Sequence, residues 1–270
     1  MFNNILFYPI VFIFGLAIGS FLNCIIYRLE KEEGFLKGRS YCPHCRHQLS
    51  WRDLIPLFSF LILKGKCRHC RQKISLQYPL VELATAAIFL SIFNFQFPIF
   101  NQFSISNFQF LNLCFLFIIS CFLIVIFVYD LKHYIIPDKI IYPAILLALI
   151  FNFQFPIFNQ FSIFKNSILS AFGAAIFFLL IVLISKGKWM GIGDIKLAFL
   201  MGLILGFPNI LVALFLAFFL GAIMGTGLLI SGKKTLKSEV PFGPFLAVGT
   251  FAAFFFGQKI INWYLFNFFL

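Results

Sequence analysis

Charge is what this sequence has least of. Only 11% of its 270 residues are charged, and nine acidic residues stand against 21 Lys and Arg. A soluble domain carries roughly a quarter charged residues, so this chain cannot cover an ordinary globular surface with them. Hydrophobic residues make up 61% and aromatic residues 20%, with mean hydropathy +0.99. A water-soluble fold is excluded, and lipid must solvate much of the surface. Polar stretches are scarce too: 28–78 is the one sizeable water-facing segment. A cleavable signal is also lacking. The first apolar run, about Ile5 to Tyr27, has no basic segment before it and exceeds signal-peptide length, so it reads as a retained span.

What the chain does have is a series of apolar runs, each near the roughly 20 residues that cross a bilayer. They fall at 5–27, 79–98, 110–129, 139–155, 166–185, 195–208, 209–231 and 244–267. The expected fold is an all-α polytopic membrane protein of about eight helices with a small cytoplasmic insertion. The net charge of +12 suggests nucleic acid only until its placement is read. Arg28, Lys31, Lys37, Arg39, Arg46, Arg52 and their neighbours crowd 28–78, and Lys132, Lys139, Lys186, Lys188, Lys233, Lys234 and Lys237 fall on the same side. The other side holds Lys165 and Lys259. This asymmetry puts the basic loops in the cytoplasm and both termini outside. The partner it implies is a lipid bilayer, with no nucleic acid.

One thirteen-residue stretch occurs twice: Phe93 to Ile105 and Phe151 to Ile163 both read FNFQFPIFNQFSI. In this topology both copies fall outside, between spans. Two isolated copies do not make a solenoid, and the plain reading is a duplication without function.

Of the seven cysteines, Cys24, Cys114 and Cys121 lie in apolar runs, where a thiol acts as a small hydrophobe. The other four form two Cys-x-x-Cys pairs, Cys42/Cys45 and Cys67/Cys70, with residues 46–66 between them. Four thiolates on two knuckles suit the tetrahedral shell of a closed structural zinc site, although the spacing is slightly long for a zinc ribbon. Redox pairs and unligated thiols are the competing readings. Flanking Arg and Lys would favour the thiolate. His44, His47 and His69 are possible substitute ligands, but are more often solvated loop residues. A four-thiolate shell leaves no position for water, so the metal should be structural.

Four of the rare acids lie near spans: Glu82, Asp130, Asp138 and Asp194. An ionisable group at a span edge is costly and invites a functional reading. Asp130 ends the third span, and Asp194 begins the sixth in Gly191-Ile192-Gly193-Asp194. The topology puts both at the cytoplasmic level. Two adjacent carboxylates share a proton, so one activates water while the other polarises a carbonyl, which is peptide-hydrolysis chemistry. The bland reading is that Asp194 caps a helix and its glycines are loop residues. Asp138 after Pro137 reads as a first-turn residue. Glu82 could pair with a basic loop residue, and Lys196 could snorkel to the interface.

Several segments in order resemble the bacterial type IV prepilin peptidase family of Gly-x-Gly-Asp aspartic peptidases. They are Gly19-Ser20-Phe21-Leu22-Asn23 with Ile26-Tyr27-Arg28-Leu29, the Cys pairs bracketing Leu49 to Leu57, Tyr78 to Leu83, Asp130 to Asp138, Gly191 to Leu197, and Val240 to Phe245. The resemblance covers nearly the whole chain, the Phe-rich repeats excepted. It implies an eight-helix inner-membrane endopeptidase. This enzyme would remove leaders from type IV prepilins or type II secretion pseudopilins at the cytoplasmic face, with Asp130 and Asp194 catalytic. It also implies a zinc domain over 28–78 holding metal on Cys42, Cys45, Cys67 and Cys70, and a peptidase core over 79–270 after a first helix in 1–27. Many members also methylate the new N-terminus with S-adenosylmethionine; no soluble-type glycine-rich methyl-donor motif is present here, so that activity is implied by the resemblance alone. Two rival classes remain. One is a non-hydrolytic zinc-ribbon membrane adaptor or transporter, which has no use for two aspartates at one level. The other is a presenilin-like protease cutting within lipid, which needs no cytoplasmic cysteine domain.

Overall fold

The structure, a computed structural model, describes residues 7–34, 38–100, 107–153, 161–232 and 240–268. Nine α-helices occur among them: α1 (Phe7–Glu30), α2 (Phe58–Ile62), α3 (Gln77–Phe100), α4 (Asn107–His133), α5 (Asp138–Asn152), α6 (Phe161–Ser185), α7 (Ile192–Leu205), α8 (Asn209–Ile230) and α9 (Gly243–Phe268). Among the described residues no extended sheet forms, only two isolated bridges, Tyr41 with Gln48 and Lys66 with Lys73. In lipid every backbone polar group must be satisfied inside its own segment, which leaves these apolar runs no alternative to helix. Proline marks several starts: Pro79 in the first turn of α3, Pro137 just before α5, Pro208 before α8 and Pro244 at the head of α9.

Six helices among the described residues are long and apolar enough to cross a membrane: those over Phe7–Glu30, Gln77–Gln96, Gln109–His133, Ser162–Ser185, Asn209–Ile230 and Gly243–Asn267. The chain is a multi-pass membrane protein. The other two expected spans are also helical, but α5 and α7 have only 15 and 14 residues. At 1.5 Å per residue each is about 20 Å long, shorter than a bilayer core.

The chain divides into two compact units, Met1–Val125 and Ile126–Leu270, with the boundary inside α4. In the first, α1 and α3 pack backbone to backbone. A Cβ at Gly15 would lie 2.6 Å from Cα of Ala86. Lipid gives apolar helices no drive to associate, so close approach through small residues and interhelical hydrogen bonds must hold them. Buried Asn23 supplies such bonds, donating to the carbonyls of Tyr78 (3.0 Å) and Gly19 (3.3 Å). In the second unit, a Cβ at Gly202 of α7 would run into the Ala171 backbone of α6. One at Gly249 of α9 would meet the Ala213 carbonyl of α8 at 2.5 Å.

The repeated segments do not simply lie between spans as expected. Phe93 to Phe100 extends α3, whereas the second copy closes α5 at Asn152 and reopens as α6 at Phe161. The remainder, 101–105 and 154–160, falls outside the described residues. Identical sequence thus meets different surroundings. Asn94 accepts the Tyr8 hydroxyl at 3.1 Å on the surface, while buried Asn152 donates to the Leu203 carbonyl at 3.1 Å and ties α5 to α7.

Candidate active site and metal-binding cluster

Three acidic side chains are buried among the described residues: Glu82, Asp130 and Asp194. The last two lie in the same unit and interact electrostatically. Asp130 occupies the last turn of α4, where Tyr134, in a left-handed conformation, donates its amide to the Asp130 carbonyl and ends the helix. Its side chain is 4% exposed and accepts the Gly243 amide at 3.0 Å. The first residue of α9 thereby fixes the last turn of α4. Asp194 stands in the first turn of α7, 8% exposed, and its Oδ2 accepts the Gly191 amide at 3.1 Å. That is the helix-capping bond of the bland reading, made by the Asp194 side chain alone since Gly191 has none, and it sets the direction of the carboxylate as well.

Ile136 wedges both arms of the site. A Cβ on Gly193 would lie 3.0 Å from Cβ of Ile136, and one on Gly243 would lie 3.4 Å from its Cδ1 and only 2.6 Å from Oδ2 of Asp130. The glycines that bring two acids from distant stretches together are therefore structural necessities. Gly243 as the partner of Asp130 was not legible in the sequence. The available signal was a glycine between Phe242 and Pro244 at the head of a span.

Asp138 and Lys196 flank the site without joining it. Lys196 does not snorkel alone: its Nζ pairs with Asp138 at 2.5 Å and lies 4.7 Å from the ring centre of Tyr142. Asp138 opens α5, as a first-turn acid should. Glu82, 6% exposed, forms no ion pair with a basic loop residue among the described residues. It accepts the Leu57 amide at 2.9 Å and a bond from the Ser20 side chain instead. Leu57 stands at a positive φ of 59°, and the carboxylate anchors that turn of the cysteine module to α3.

The four cysteine thiols gather, with every sulfur within 4.8 Å of the others and no histidine among them. The two knuckles repeat one design. Cys42 donates its amide to His47 and accepts from Arg46, while Cys67 does the same with Gln72 and Arg71. Arg46 and Arg71 both stand at φ +56°. Sγ of Cys42 lies 3.9 Å from Sγ of Cys70, near the roughly 3.8 Å that tetrahedral metal–sulfur bonds of about 2.3 Å require. Backbone amides of Cys70 and His69, rather than flanking cations, bring the Cys67 thiol down to about 7. The Gln72 amide works the same way on Cys70, but burial and the neighbouring thiols push that group up to about 11. The cluster could hold a metal ion, and its donor set fits. His47 and His69 stack on each other instead, ring centres 3.6 Å apart. Arg68 braces the module by pairing with Asp53 at 2.9 Å.

Comparison with known proteins places this geometry in context. A family profile described as the bacterial peptidase A24 N-terminal domain matches residues 13–95, and one for the type IV leader peptidase family matches 116–226. The chain belongs to the type IV leader peptidase family. It is 31% identical over 291 residues to a prepilin leader peptidase/N-methyltransferase of Aeromonas hydrophila, covering 97% of this chain and 95% of that protein. Proteins of the same name from Bacillus subtilis and Legionella pneumophila are each 32% identical, over 95% and 96% of this chain and 97% and 94% of theirs. No solved structure matches.

Proposed function

We propose that this member of the type IV leader peptidase family removes the leader of a type IV prepilin or pseudopilin, with Asp130 and Asp194 as its catalytic pair. The observation that carries the reading is two buried carboxylates, from α4 and α7, near enough to feel each other's charge and each held by one backbone amide. One carboxylate takes a proton from water as its oxygen attacks the scissile carbonyl. The other gives a proton to the carbonyl oxygen; as the intermediate collapses, the first passes the water's proton to the leaving amine and the second takes its own back from the gem-diol. The amides of Gly243 and Gly191 fix the rotamers, so little reorganisation is needed when substrate arrives.

The charge asymmetry of the loops supports a cytoplasmic site in the inner membrane. The peptidase core is assigned to 79–270 after a first helix in 1–27, and the module in 28–78 to a structural zinc on Cys42, Cys45, Cys67 and Cys70. The relatives' names support a second step, methylation of the new N-terminus with S-adenosylmethionine as donor. No residue set among those described is assigned to that donor.

Purified protein incubated with a prepilin, with and without S-adenosylmethionine, tests both halves. Mass spectrometry should show leader loss in both, with one added methyl group only when the donor is present. An intact prepilin in both mixtures would contradict the reading.

A further inference from the structure

Composition makes 28–78 the water-facing stretch of this chain, yet part of it is built otherwise. On α2, Phe58, Leu61 and Ile62 stand at i, i+3 and i+4, so they share one face. They are 63%, 69% and 74% exposed. Phe60 lies on the other side and packs on Gly65, where a Cβ would meet its ring at 3.1 Å. Trp51, in the adjoining turn Trp51–Leu54, is exposed as well. A water-facing surface rarely gathers so many large apolar side chains, so this face has a partner. Helix α2 has five residues, about 7.5 Å at 1.5 Å per residue, and is too short to cross a bilayer.

The spans of the same unit fix the depth of that face. Leu57, the residue before α2, donates its amide to Glu82 at 2.9 Å. Glu82 lies five residues beyond Gln77, about 7.5 Å inside the span that α3 forms. Across from it on α1 is Gly19, where a Cβ would lie 2.7 Å from Cα of Glu82, and Gly19 is more than 15 Å, at about 1.5 Å per residue, from the end of α1 at Glu30. The polar layer on each side of the hydrocarbon is roughly 5–8 Å thick. Helix α2 therefore leaves the bundle at the level of that layer. The charge around it matches: between Trp51 and Leu76, six basic residues face one acid, Asp53, which Arg68 already engages. Lys64 and Lys66 directly follow α2, and the bridge from Lys66 to Lys73 brings a third lysine beside them. We propose that α2 lies in the headgroup layer, its Phe58, Leu61 and Ile62 face against the acyl boundary and Lys64, Lys66 and Lys73 on the phosphates of anionic phospholipid. An apolar face bordered by cations and a tryptophan has the make-up of an interfacial helix. The cysteine module is then held by Glu82 on one side and by lipid on the other, whichever reaction the protein performs.

The intact chain in nanodiscs tests this without any measure of cleavage. With the photo-crosslinker p-benzoylphenylalanine at Leu61, irradiation should yield a phospholipid adduct. In the wild type, amide hydrogen exchange over 58–64 should slow roughly tenfold when phosphatidylglycerol is mixed into phosphatidylcholine discs. The triple variant Lys64→Gln, Lys66→Gln, Lys73→Gln should lose that difference while exchange over 42–48, at the first cysteine knuckle, stays as in the wild type. Exchange over 58–64 that ignores lipid charge in the wild type would overturn the proposal. So would a Leu61 probe that gives no lipid adduct, or that attaches only to added prepilin or to a second copy of this chain.

Discussion

Replacing Gly243 by alanine tests the local geometry with one methyl group. The glycine is not in a left-handed conformation, so alanine keeps the backbone. The new Cβ, however, would stand 2.6 Å from Oδ2 and 3.1 Å from Cγ of Asp130. Ordinary contact begins at 3.4 Å, so the carboxylate must retreat by about 0.8 Å, while Ile136, 3.4 Å from the new Cβ on another side, leaves the methyl little room to shift instead. That retreat also stretches the 3.0 Å bond from the Gly243 amide that directs the carboxylate. Misplacing a reacting group by about 1 Å can cost on the order of a hundredfold in rate, or about 2.7 kcal/mol in the barrier. Single-turnover cleavage of a prepilin should therefore slow about a hundredfold in Gly243→Ala with substrate binding nearly unchanged. Gly193→Ala, whose Cβ meets only the Ile136 side chain at 3.0 Å, should slow it less. A Gly243→Ala protein that inserts normally and cleaves within twofold of wild type would refute the claim that this contact positions Asp130.

Other outcomes follow from the surroundings. Cys42→Ser or Cys70→Ser should abolish bound zinc by elemental analysis and loosen residues 38–76 in hydrogen exchange, while reducing methylation more than leader cleavage. Burial disfavours ionised Asp53, but the Ser50 hydroxyl and Arg68 outweigh it and hold the carboxyl below its ordinary value. A depressed folded pKa stabilises above the unfolded value of about 3.9 and is lost as pH falls through the folded one. Asp53→Asn should therefore weaken the cysteine module by about 1 kcal/mol at pH 7, with the difference vanishing in strong acid when measured by thermal unfolding. Lys196→Met removes an ion pair whose acid is 60% exposed, so kcat/KM should fall by less than about tenfold.

Hydropathy alone located every long helix, because a bilayer allows apolar runs nothing else. The shortness of α5 and α7 was also visible in the sequence. Spacing could not show which acids meet. Asp130 and Asp138 stand equally near span edges; Pro137 marks Asp138 as a first-turn residue, and the resemblance adds the catalytic role of Asp130. The structure then buries Asp130 and leaves Asp138 exposed to Lys196. Contacts set by tertiary packing were illegible: Gly243 on Asp130, Leu57 on Glu82, and the two fates of Asn94 and Asn152 within identical segments. The cysteine spacing predicted the cluster, yet not that backbone amides would favour the Cys67 thiolate.

The most direct test is leader cleavage by the two conservative variants, Asp130→Asn and Asp194→Asn, each shown to insert and fold like the wild type. The amide keeps the size and most hydrogen bonds of the acid but can neither accept nor share the reacting proton. Each variant should lose cleavage entirely; turnover persisting near the wild-type rate in either one would contradict a joint role for the two carboxylates.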